Sequence, residues 1–352
     1  MNDVPSAFSS PGEPRPALPA AERFRAAPGL AHPHLQSLLA TKRPAHWLWR
    51  RRGLDLNALS AWHLLDAGNG IRLSGLHTPA AAAPRGLAVL IHGWEGSCNS
   101  NYLYSMAARL HRAGYALFRL NLRDHGGTHH LNEGMFNSAR MDEVIRAIAA
   151  VQLLEPAQPL VVIGFSLGGS FALRVGIQGP PAGVHPALCV GISPLMNPLH
   201  TLQAIDRGPR AFNSYFLAKW RASMNAKDRA WPGLYDFRDH RRLTNFVELT
   251  ERFVLDFTEF DSLDDYLQRY TLTPALLSRS PTPLALITSR DDSVIPIADF
   301  DGLRDEGSVL AFDVTDRGGH CGFIANWGLE SWAESRVLAL LNHQGPGELL
   351  AS

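Results

Sequence analysis

The chain has 352 residues, long enough for one large α/β domain with insertions or two modest ones, and ample for a buried core. With 45% hydrophobic and 19% charged residues it has the composition of an ordinary globular protein, which excludes extended disorder and fibrous structure. Lys and Arg number 33 and Asp and Glu number 33, so no net charge steers the molecule toward phosphate backbones, and no nucleic-acid partner is expected.

Residues 1–22 carry prolines at 5, 11, 14, 16 and 19 among Ser, Ala and Gly, a composition that buries too little surface to hold one conformation. A mobile tail is expected there. Its start lacks the basic and apolar regions of a secretory signal, and no uninterrupted 18-residue apolar run follows anywhere, so no membrane-spanning helix is expected. Residues 23–59 read as a lead-in segment packed on the domain. Within it Trp47 and Trp49 stand beside Arg50, Arg51 and Arg52, a candidate for peripheral membrane contact, although the shortness of the basic run favours packing.

The core begins near residue 60. AWHLL at 61–65 and IRLSGLH at 71–77 flank a turn from Asp66 to Gly70 and predict a β-hairpin. Apolar runs follow at 86–92, 115–121, 160–165, 187–192, 284–288 and 308–314. Separated by helices, such runs form buried parallel strands. The spacing of Met141, Val144, Ile145, Ile148 and Gln152 predicts a helix over 141–153, and 101–113, 166–177 and 331–341 are the other candidate crossovers. The fold class expected is therefore α/β, a mostly parallel sheet flanked by helices on both faces.

Roughly 90 residues separate Ile192 from Pro283, far beyond an ordinary loop. This stretch is rich in Phe, Trp and Tyr and reads as a helical cap, residues 194–282, dividing the core into 60–193 and 283–345. Three cysteines, Cys98, Cys189 and Cys321, are too few and too scattered for a disulfide framework or a four-ligand metal site, and fit free thiols in a cytoplasmic protein.

The chemistry centres on Gly164-Phe165-Ser166-Leu167-Gly168-Gly169, which follows the strand LVVI directly and opens a helix. A serine on so tight a strand-to-helix turn is strained, and side chains two residues before and after it would collide with the turn, which the glycines avoid. The turn thrusts the Ser166 hydroxyl out at the carboxyl edge of the sheet. A neutral hydroxyl is a poor nucleophile, so a base and a group orienting that base are required. His320 lies on a glycine-flanked loop past the last strand, which sets it apart from the other histidines among the 15. Asp291 and Asp292 follow the strand LALITS. Asp292 is preferred as the acid for its offset of four to Pro296, and Asp291 is the alternative. Donors for a developing oxyanion are expected from the backbone N–H groups of Leu167 and Trp94, the latter in the loop Ile91-His92-Gly93-Trp94-Glu95-Gly96. His92 reads as a brace of that loop. His125, His129 and His130 lack the spacing of a metal site, and neither metal nor other cofactor is expected.

These residues together resemble the α/β-hydrolase superfamily, in the order Ser, Asp, His. Three segments narrow the resemblance to the YheT-type group of predicted esterases and lipases: His32-Pro33-His34-Leu35-Gln36-Ser37, HGWEGSCNSNY at 92–102 and GGHCGF at 318–323. The chain departs from that group after the fourth strand. There RDHGGTHHLNEGMFNSAR, with Phe136-Asn137-Ser138, replaces an Arg-Gly-x-Gly-Gly run followed by Tyr-His-Ser-Gly. The resemblance implies hydrolysis of carboxylic esters, acyl lipids among them; with Ser166 as nucleophile the expectation is a serine hydrolase working through an acyl-enzyme on a small-molecule acyl ester, and the Phe- and Trp-rich cap favours acyl chains of short to medium length. Acyl transfer to an alcohol and a non-catalytic binding role on the same fold are the rival readings, and the oligomeric state is open.

Overall fold

The computed structural model describes residues 23–343. The expected mobile tail, 1–22, and the last two residues of the expected 283–345 segment lie outside the described residues. The hairpin forms from β1 (Ala61–Asp66) and β2 (Arg72–Thr78), with the Gly68 N–H closing the turn on the Asp66 carboxylate at 2.9 Å. The six longer apolar runs become β3 (Leu87–Ile91), β4 (Ala116–Asn121), β5 (Leu160–Phe165), β6 (Leu188–Ile192), β7 (Leu284–Ser289) and β8 (Val309–Thr315). One sheet results, in the order β1-β2-β4-β3-β5-β6-β7-β8. β1 and β2 run antiparallel to their neighbours, and β3 to β8 are mutually parallel.

The runs lack a polar side because both faces of the sheet are covered. On β3, Leu87, Val89 and Ile91 enter one core while Ala88 and Leu90 enter the other. The helices are α1 (Pro33–Lys42), α2 (Ala45–Arg51), α3 (Asn101–Arg112), α4 (Met141–Gln152), α5 (Leu167–Gln178) and α6 (Pro198–Arg207). They continue as α7 (Arg210–Ala230), α8 (Phe246–Phe257), α9 (Leu263–Gln268), α10 (Pro274–Ser278) and α11 (Trp332–His343). α3 and α11 cover one face together with the lead-in segment, and α4 and α5 cover the other. Within the lead-in, Trp49 is buried and its indole donates to Ser105 Oγ at 3.1 Å, whereas Trp47 is 52% exposed beneath the Arg51 guanidinium. Among the described residues no helix is long and apolar enough to cross a membrane.

Helices α6 to α10 are inserted between β6 and β7, over the carboxyl edge of the sheet. One tie between them and the core is a buried ion pair. The Lys227 ammonium on α7 donates to Asp124 Oδ1 at 2.9 Å and to the carbonyls of Asn132 and Gly134 at 2.7 and 3.2 Å, which uses all three of its protons. The second Asp124 oxygen accepts the Phe136 N–H at 2.8 Å. Removing either partner of so completely hydrogen-bonded a buried pair would cost roughly 3–5 kcal/mol, because the other charge would be left buried and unpaired.

Candidate active site

Ser166 sits at the junction of β5 and α5 with φ +55° and ψ −121°, a conformation that side chains rarely adopt. Its N–H donates to the Ile192 carbonyl at 2.9 Å and its carbonyl accepts from Leu195 at 3.2 Å, so the neighbouring strand holds the strained turn in place. A Cβ on Gly164 would lie 1.9 Å from the Gly168 carbonyl oxygen, a collision within the turn as expected. For Gly168 the obstacle is different. A Cβ there would lie 2.3 Å from the Ile91 carbonyl oxygen and 2.4 Å from that of His92, so it is the end of β3, and not the turn itself, that requires glycine.

The structure brings His320 to this serine. His320 Nε2 lies 2.9 Å from Ser166 Oγ, and its Nδ1 lies 2.8 and 3.1 Å from the two carboxylate oxygens of Asp292. The Asp292 carboxylate is buried and also accepts the Val294 and Ile295 N–H groups at 2.8 and 3.0 Å, which fixes it in place. Burial favours the neutral imidazole of His320, but the Asp292 charge and the Cys321 thiol outweigh it and hold its pKa well above the ordinary histidine value. Asp291 turns elsewhere. Its Oδ1 accepts the Gly319 N–H at 2.9 Å, so it braces the loop that carries His320 and does not touch the ring.

The loop after β3 faces the serine from the other side. A Cβ on Gly93 would stand 3.2 Å from Ser166 Cβ, and the Gly93 N–H donates to the Tyr102 hydroxyl at 2.9 Å. His92 is a brace, as its position suggests: Nδ1 donates to the Gly93 carbonyl at 2.7 Å and Nε2 accepts the Leu122 N–H at 3.2 Å. Burial lowers its pKa to about 4, so it is a neutral imidazole. The Trp94 and Leu167 N–H groups make no hydrogen bond to any other described residue. Both flank the serine, and the latter is the first N–H of α5, one that no helix satisfies internally. After β4, His125 Nδ1 donates to the Arg123 carbonyl at 2.6 Å, His129 Nε2 lies 2.8 Å from Ser223 Oγ, and His130 is exposed.

Above Ser166 lies a cavity of about 690 Å³, walled by Trp94, Phe136, Phe212, Phe216, Trp220 and Phe246 among others, and reached by Leu38 and Lys42 of α1. The aromatic residues of the insertion thus divide: one set lines this cavity, while Tyr235, Phe237 and Phe257 pack on one another. Phe136 and Ser138, from the segment where the chain departs from the YheT-type pattern, are in the wall. Glu95, next to Trp94 and partly open to the cavity, has its pKa pushed up to about 8 by burial, and Lys42 and Lys219 also line the cavity. Sequence reasoning missed the residues that hold the His320 loop from outside. Ser289 donates to the Gly319 carbonyl at 3.0 Å and Ser193 accepts the Cys321 N–H at 3.1 Å. Ser37 and Gln36 do the same from α1, and only their place in a recurrent motif marked them.

Comparison with known proteins agrees with this architecture. The chain is 25% identical to YheT of Escherichia coli (strain K12), a proposed esterase, over 88% of this chain and 90% of that protein. It is 22% identical to slr0264 of Synechocystis sp. (strain ATCC 27184 / PCC 6803 / Kazusa), another proposed esterase, over 80% and 84%. Among solved structures, the Pyrococcus furiosus esterase Pf2001 superposes with a TM-score of 0.50 at 17% identity, covering 81% of this chain and 91% of that one. A bacterial membrane phospholipase A superposes with a TM-score of 0.51 at 14% identity, covering 85% and 91%. These two likenesses show the fold. A sequence profile of the Alpha/beta hydrolase family matches residues 88–329, and the chain belongs to that family.

Proposed function

We propose that this protein is a serine hydrolase that cleaves carboxylic esters of short- to medium-chain acyl groups. One observation carries the reading: an unbroken hydrogen-bonded line runs from Asp292 through His320 to Ser166 Oγ, on a strained turn that opens into an apolar cavity. His320 Nε2 takes the hydroxyl proton as Ser166 Oγ bonds to the ester carbonyl carbon. The carbonyl oxygen becomes an oxyanion, for which the Trp94 and Leu167 N–H groups are the available donors. Collapse of this intermediate breaks the bond to the alkoxy oxygen, which leaves with the proton from His320. Water then attacks the acyl-enzyme, giving one proton to His320 and restoring the Ser166 hydroxyl as the acid departs. Asp292 holds the imidazole in the tautomer with its proton on Nδ1 and stabilises the imidazolium at each stage.

The cavity sets the substrate class. Its walls are largely aromatic and apolar, with Trp94, Phe136, Phe212, Phe216, Trp220 and Phe246 around the serine, which suits an apolar acyl chain. A series of chromogenic esters of increasing acyl length tests this. The ratio kcat/KM is expected to rise with length, by about a factor of ten for every two methylenes buried, until the chain outgrows the cavity. A flat profile, or no turnover at any length, would contradict the reading.

A further inference from the structure

We infer that α1 belongs to the catalytic apparatus, with Ser37 a positioning residue for His320 and Gln36 anchoring the same loop beyond it. The inference rests on the hydrolase reading and goes beyond it. Ser37 Oγ accepts the His320 N–H at 2.8 Å and donates to the Pro33 carbonyl at 2.9 Å, so its hydroxyl has one fixed direction. Gln36 is fully buried and its amide spans two segments: Nε2 donates to the carbonyls of Leu30 and Ile324 at 2.7 and 3.0 Å, and Oε1 accepts the Ile324 N–H at 2.6 Å. The histidine loop is shaped to receive this helix. A Cβ on Gly319 would lie 2.3 Å from the Pro33 carbonyl oxygen, and one on Gly322 would lie 2.6 Å from that of Gln36.

A helix that merely covered the core would bury apolar side chains, since an amide and a hydroxyl are costly inside unless fully hydrogen-bonded. Here two consecutive polar side chains are buried and spent on one loop. The ties from other elements hold the neighbours of His320: Asp291 and Ser289 take Gly319, and Ser193 takes Cys321. Among the described residues, Ser37 alone takes the N–H of His320 itself. That bond fixes the root of the imidazole, whose two nitrogens must meet Asp292 and Ser166 together. A base displaced by about 1 Å loses up to about two orders of magnitude in rate.

The test uses the full chain, a chromogenic ester that the wild type cleaves, and a fluorophosphonate to titrate competent Ser166. Ser37→Ala is expected to lower kcat per titrated site by about 10- to 100-fold with KM within about twofold. Arg43→Gln is the control. Arg43 follows α1 and binds Glu334 on α11 and the Leu329 carbonyl at the far end of the connection from β8 to α11, with no bond to His320 or its neighbours, so its loss is expected to lower the melting temperature and leave kcat per site unchanged. The inference is overturned if Ser37→Ala keeps kcat per site within about twofold of wild type, or if Arg43→Gln lowers it equally. In both outcomes the wild type remains active and the hydrolase reading stands. A wild type that neither cleaves esters nor reacts with the probe would overturn both.

Discussion

Ser166→Ala is expected to reduce ester turnover by about 10⁴-fold or more while leaving the protein folded. The loss follows from the chemistry proposed, because the hydroxyl oxygen is the atom that bonds to the acyl carbon, and water admitted in its place is neither positioned nor activated to the same degree. Retention of the fold follows from the geometry. The strained backbone at this position is set by the N–H and carbonyl bonds to Ile192 and Leu195, both of which alanine keeps, and alanine presents the same Cβ as serine. The side-chain oxygen has one hydrogen-bond partner among the described residues, His320 Nε2. Circular dichroism and the melting temperature should therefore match wild type while the rate with any chromogenic ester falls to background. Substantial residual turnover in this variant would place the nucleophile elsewhere.

Asp292→Asn is expected to cost about 10³- to 10⁴-fold in kcat, against about tenfold or less for Asp291→Asn. An amide at 292 can donate to Nδ1 and so favours the imidazole tautomer whose Nε2 carries the proton, which cannot accept one from Ser166. The change also has a signature in pH. The base acts only when neutral, so activity is lost as pH falls through the pKa of His320, which Asp292 holds well above the ordinary histidine value. With asparagine the raising charge is gone while burial remains, so the acid limb of kcat/KM is expected to move to lower pH as the plateau drops. Asp291 contacts the Gly319 N–H and not the ring, so its variant should keep the position of that limb. Equal losses for the two variants, or an unmoved limb in Asp292→Asn, would contradict this assignment.

The parts of the site that sequence made legible are those whose cause is local. Gly164 stands before Ser166 because backbone atoms crowd the turn, and that crowding, with the Gly168 that the end of β3 requires, leaves a five-residue pattern at the end of an apolar strand. The strands β3 to β7 were visible because both faces of each are buried, which leaves few polar residues in the run. Asp291 and Asp292 were harder to separate. They are adjacent on one loop, and which carboxylate turns to the ring depends on the Val294 and Ile295 N–H groups that fix Asp292 and on the approach of Gly319 to Asp291. The role of Ser37 was not legible at all, because its partner lies 283 positions along the chain and a serine within a helix has no pattern that names a distant acceptor or donor. The same holds for the aromatic residues of α6 to α10. Composition announced an apolar insertion, but only packing sorts Phe216 and Trp220 onto the cavity wall and Phe237 and Phe257 into contacts with each other.

The proposed mechanism requires Ser166 to become covalently bonded to the acyl group during turnover. Rapid quenching of the wild type with a slowly deacylated ester, followed by peptide mapping by mass spectrometry, measures this directly. One acyl adduct per chain is expected, on the peptide that contains Ser166, forming faster than the acid product accumulates and absent from His320→Ala on the same timescale. Steady turnover with Ser166 unmodified, or an adduct carried by another residue, would contradict it.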